Sequence, residues 1–170
     1  MIDDKAGFDN DLYKQLPIYL KAEEIHELIE RMLFGFGSEE LKQDNSIKGI
    51  DLEMISEFFN YSKSLMLANS LMIPAKIADA ESGNIYDLRM ENATIIRKAA
   101  KELIIDAQDL QNNGFKDIEY LDLLRLEIER FRVLFVQWVA HFDTLNYILD
   151  RWGLFNPPGI TYSEDDDTDK

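Results

Sequence analysis

Leu121, Leu124, Ile128, Phe131, Phe135, Trp138, Phe142, Leu145, Leu149 and Trp152 follow one another by alternating steps of three and four residues. That period holds them on one face of an α-helix, and no alternation of period two competes with it. The spacing predicts a helix over residues 117–152, roughly 50 Å long. A rod of that length in a chain of 170 residues needs other helices laid along it. The expected fold is therefore all-α: an up-down-up-down four-helix bundle with a long fourth helix.

The remaining helices are legible in order. Pro17 suits a first helical position, where its missing N–H costs nothing. Ile25, Leu28, Ile29, Met32, Leu33 and Phe36 then make an apolar stripe opposite Glu23, Glu24, Glu27 and Glu30, and Gly35 and Gly37 supply the stop. Residues 37–49 read as a loop. Asp51 is an N-cap for a second helix that carries Ile55, Phe58, Phe59, Leu65, Met66, Met72 and Ile73. From Leu65 to Ile73 this helix is apolar nearly all round, and Pro74 should kink it or restart it. Asn84, with Asp87 three residues on, resembles a capping arrangement for a third helix. Its seam, Ala93, Ile96, Ala100, Leu103, Ala107 and Leu110, is narrow enough for close approach of the fourth. The Asn112-Asn113-Gly114 turn is short enough to force an antiparallel hairpin. The domain reading is an N-terminal arm at 1–16, the bundle at 17–152, an extended arm at 153–162 and a disordered acidic tail at 163–170.

Composition narrows the function classes. The net charge of −15 opposes binding to a phosphate backbone. With no cysteine, disulfides, thiol catalysis and Cys-based zinc sites are excluded, and a reducing, cytoplasmic setting is expected. The acidic start, Met1-Ile2-Asp3-Asp4-Lys5, has no cationic region followed by an apolar run and reads as no signal peptide. The apolar run in the fourth helix is too interrupted to span a membrane.

Candidate chemistry is sparse. Glu23 and His26 have the Glu-x-x-His spacing of bundle metal sites, but such sites need a second pair, and His141 has Trp138 three residues before it. His141 reads as a core or interface histidine in the apolar middle of the fourth helix, able to make assembly pH-sensitive. Arg97, Lys98 and Lys101 cluster on the third helix and offer an anion or nucleic-acid contact, against the simpler reading of a solvated face. No phosphate loop, dinucleotide fingerprint or nucleophile-and-base spacing is present, and no cofactor is expected.

Three stretches resemble a known family. Leu20-Lys21-Ala22-Glu23-Glu24-Ile25 is similar to its opening helix, Ile73-Pro74-Ala75-Lys76-Ile77-Ala78-Asp79-Ala80 to its Pro-x-Asn-Ile-Ala-Glu-Gly motif, and Ala99 to Leu110 with Asn113-Gly114-Phe115 to its third helix and turn. The family comprises the four-helix-bundle proteins encoded in intervening sequences of bacterial ribosomal RNA genes and the accessory variability determinants of diversity-generating retroelements. Lys76, Asp79 and Ala80 stand where that motif has Asn, Glu and Gly. The resemblance implies a non-enzymatic bundle that assembles as a ring of about five subunits, as characterised relatives do. The nucleic-acid binding of the family's basic branch does not carry over to so acidic a chain.

The expectation for function is a non-enzymatic, homo-oligomeric interaction or scaffold module. Its contacts would come from Leu65, Met66, Met72, Ile73, Leu134, Phe135, Trp138 and Phe142. The alternatives are a nucleic-acid or nucleoprotein-binding accessory protein and a metal-binding bundle.

Overall fold

The computed structural model describes residues 12–34 and 52–163. The loop read at 37–49, the cap at Asp51 and the acidic tail after Ser163 lie outside the described residues, as does all but the end of the N-terminal arm. Among those described, the chain is all-helical and has no strand. A 3₁₀ turn at Leu12–Gln15 leads into four helices: α1 (Pro17–Phe34), α2 (Leu52–Glu81), α3 (Tyr86–Asn112) and α4 (Ile118–Val139). The helix pairs in contact are α1 with α2, α2 with α3, α3 with α4 and α4 with α1. A single core lies between them.

Each helix turns its three-and-four seam inward. On α1 the buried seam is Ile18, Ala22, Ile25, Ile29 and Met32; on α3 it is Ala93, Ile96, Ala100, Leu103, Ala107 and Leu110. On α4 it is Leu121, Leu124, Ile128, Phe131 and Trp138, continued past the helix end by Phe142. Burying such stripes against one another removes apolar surface from water at about 25 cal/mol per Å², the main force holding the helices together. The α2 seam is less apolar, because Ser62 and Ser70 are buried in it beside Phe59, Met66, Ile73, Ile77 and Ala80. The α3 helix packs most extensively on α2, whereas its alanine spacing suggested α4 as the close partner.

Pro74 neither ends nor restarts α2, which runs 30 residues and is the longest helix described. The α4 helix is shorter than its seam predicts. It has 22 residues and stops at Val139. Beyond it the His141 and Phe142 amides close a tighter final turn onto the Trp138 and Val139 carbonyls, each at 3.1 Å. The Asp143 Oδ1 then accepts from the Leu145 amide at 3.0 Å. This turn is what Asp, Thr and Asn favour, because their side chains compete with the helical ladder.

The chain that leaves α4 caps α3. The Tyr86 amide donates to the Asn146 carbonyl at 2.8 Å, and the Ile148 amide to Asp87 Oδ1 at 2.8 Å. Asn84 and Asp87 therefore do not form a local capping box. The N-cap residue is Ile85, without a side-chain cap, and Asp87 is spent on a tertiary bond. The helix start demanded a partner, and residues 146–148 could provide it only by leaving the helix.

Candidate interaction surface

The α3–α4 pair touches least of the four helix pairs, and a groove of about 410 Å³ opens between these two helices. Its apolar surface is built from Ala100 and Ile104 on α3 and from Ile128, Phe131, Phe135 and Val136 on α4. Phe131 and Phe135 lie tilted, with ring centroids 6.2 Å apart. Ala100 is too short to close the gap to them, so the groove follows from an alanine standing opposite phenylalanines. The rim is mainly cationic: Arg97 and Lys101 on the α3 side, Arg132 with Glu129 on the α4 side. Arg132 Nε donates to Glu129 at 2.8 Å. Lys98 is no part of this groove and faces Glu102 at 3.7 Å. Of the three clustered cations, then, only Arg97 and Lys101 share the site.

The second feature is the segment after α4. Asp150 organises a compact loop over residues 150–156. Its carboxylate accepts from the amides of Trp152 at 2.9 Å, Leu154 at 2.8 Å and Phe155 at 2.9 Å. Asn156 closes the loop: its Oδ1 accepts from the Asp150 amide at 2.8 Å, and its Nδ2 donates to the Asp150 carbonyl at 2.9 Å. Gly153, at a φ of +71°, makes the turn in a left-handed conformation that suits glycine. The three amide bonds hold the Asp150 carboxyl below its usual range, with the Phe155 amide the largest cause. Trp152 and Leu154 are thrown outward at the tip, 89% and 73% exposed. The sequence pattern placed Trp152, Leu145 and Leu149 on a buried helical seam. In the structure Leu145 is 89% exposed and Leu149 sits half-buried in the loop region. The signal that could have found this loop was present as Asp150, Gly153, Asn156 and Pro157, residues that favour turns.

The other expected contact residues divide. Met66, Ile73, Trp138 and Phe142 are buried within their own chain; Leu65, Leu134 and Phe135 are half-buried, and Met72 is exposed. Trp138 is held by a polar cluster that sequence reading missed. Its Nε1 donates to Glu81 Oε1 at 2.7 Å, and the same oxygen pairs with Arg89. The Arg89 guanidinium stands 4.1 Å from the Phe142 ring centroid, so one ion pair ties α2, α3 and the end of α4 together.

His141 is not in the apolar middle of α4. It lies exposed just past the helix end, with Nδ1 2.6 Å from the Gln137 carbonyl. His26 faces α2: its Nδ1 lies 2.9 Å from Ser70 Oγ, which donates to the Leu67 carbonyl, so the histidine is the donor in that pair. Its Nε2 is 3.6 Å from Glu30, not Glu23. Among the described residues no group of three His, Asp or Glu side chains is gathered as a metal site, and no helix is long and apolar enough to cross a membrane. Comparison with family models, curated proteins and solved structures gave no match.

Proposed function

We propose that this chain is a non-enzymatic, cytoplasmic interaction module that works by associating with copies of itself, its helices running up-down-up-down with a bend at Pro74. The observation that carries this reading is the quantity of large apolar side chain left in water. Leu126, Val133 and Val136 are exposed along the outer side of α4, and Leu145, Ile148, Trp152 and Leu154 beyond it. Single exposed apolar residues are ordinary, but several on adjoining surfaces mark a contact. The resemblance to ring-forming bundle proteins points the same way.

Light scattering on the eluted protein at micromolar concentration tests the reading. A mass that is a multiple of 19.8 kDa is expected; a monomer across the concentration range overturns it.

A further inference from the structure

We propose that the Trp152 loop of one copy seats in the α3–α4 groove of the next, so that the chain assembles head to tail. The proposal rests on the self-association reading and assigns that association a donor and an acceptor.

Loop and groove are complementary in chemistry and charge. The loop is a preformed apolar knob, because hydrogen bonds from Asp150 and Asn156 fix its backbone while Trp152 and Leu154 face outward. A rigid knob loses little conformational freedom on docking, and tryptophan is the side chain most often found anchoring an interface. The groove, about 410 Å³, is of a size that takes large side chains, and its accessible apolar surface offers Ile104, Phe135 and Val136 to an indole. No described side chain of the same copy covers it. Trp152 itself lies instead beside Asp87 and Glu91 on the first turns of α3.

Charge orients the contact. Arg97 and Lys101 at the rim are exposed and in no ion pair among the described residues. Around the knob the acids Asp87, Glu91 and Asp150 outnumber the one cation, Arg151, whose guanidinium is turned to Tyr162, so the sign there is opposite to that of the rim. A knob carried on an acidic surface and a groove with a mainly basic rim attract one another between copies, and each opposes its own kind. Because the two surfaces differ, the contact is heterologous and propagates from one copy to the next.

The test uses three variants of the full chain, each altered at an exposed position and checked for helicity by circular dichroism. Trp152→Ala removes the knob and leaves the groove; Val136→Glu spoils the groove and leaves the knob, with Lys101→Glu as a second groove variant. Each alone should lose assembly in light scattering, the association weakening by at least about thirtyfold, the loss typical of a central aromatic anchor. An equimolar mixture of Trp152→Ala and Val136→Glu should restore one intact contact and run as a one-to-one dimer. If the wild type assembles and Trp152→Ala assembles equally well, the knob is not the contact, while self-association stands. If Trp152→Ala and Val136→Glu are each monomeric and their mixture stays monomeric, head-to-tail pairing is overturned. A monomeric wild type removes the self-association reading itself, and this proposal with it.

Discussion

Helix α3 meets its two neighbours in opposite ways. Toward α2 the contact is the most extensive in the bundle, and both helices bury small residues, Ser62 and Ala80 on α2, Ala99 and Ala107 on α3. Toward α4 a groove opens, although Ala100 is as small as Ala99, because Phe131 and Phe135 hold the helices apart without filling the space between them. An alanine in a seam permits close packing but does not cause it. The side chains opposite decide whether the result is a tight pair or a cleft.

The largest effect is expected where the two sides of α3 are locked together. Arg89→Ala should cost about 3 kcal/mol, since it leaves the largely buried Glu81 carboxylate without its cation and strips the cation from the Phe142 ring. Urea unfolding followed by circular dichroism measures it. A loss below about 1 kcal/mol would mean that this ion pair does not brace α2 and α3 against the end of α4.

Next comes a direct contrast between the two sides. Ala107→Leu, at a fully buried seam position, should destabilise by about 2 kcal/mol through overpacking. Ala100→Leu points into the groove and should change stability by less than about 0.5 kcal/mol. Equal costs for the two substitutions would erase the distinction between a close pair and a cleft.

The cross-brace between α1 and α4 should matter less. Lys21 Nζ lies 2.9 Å from Glu127 Oε2, with Glu24 and Arg130 completing the network. Glu127→Gln should cost about 1 kcal/mol, because both partners are mostly shielded from water and a charged hydrogen bond is weakened. The bond to Lys21 holds the Glu127 carboxyl low, while bonds to Glu24 and Glu127 hold the Lys21 ammonium high. The acid's contribution is thus complete above the ordinary carboxylate range and lost as pH falls through its lowered folded value. The lysine's is complete below the ordinary ammonium range and lost as pH rises through its raised one. Thermal unfolding of Glu127→Gln should therefore lose the part of the acid-side slope that wild type owes to this pair.

The smallest expected change is a gain. Burial raises the Asp106 carboxyl, with Glu102 and Asp109 adding to the rise and the hydrogen bond from Asn69 opposing it. Its Oδ2 is buried without a partner. A raised folded value means that the ionised form costs stability above it, and the cost is relieved as pH falls through it. Asp106→Asn should raise the melting temperature slightly at pH 7 and flatten the pH dependence around the shifted titration. A lower melting temperature at pH 7 would mean that the carboxylate itself holds α2 to α3 through Asn69.

The sequence alone determined the helices and their inward faces. Steps of three and four put Ile25 and Ile29, Leu103 and Ala107, and Leu124 and Phe131 in the core, because a helix presents one stripe and water expels that stripe whatever lies opposite. Pro17 and the Asn112-Asn113-Gly114 turn marked boundaries through chemistry local to the backbone. Of the candidate surface, Arg97, Lys101 and Phe135 were visible as a cationic pair and an apolar surplus. What sequence could not supply was anything decided by a neighbour. The α4 pattern ran on in register to Trp152, but the helix ends at Val139, residues 146–148 bond to the Tyr86 amide and Asp87 at the start of α3, and Asp150 winds the following residues into a loop with the indole outside. Periodicity reports which side chains could share a face. Only the packed chain shows which backbone groups still need partners, and meeting that need placed Trp152 on the surface.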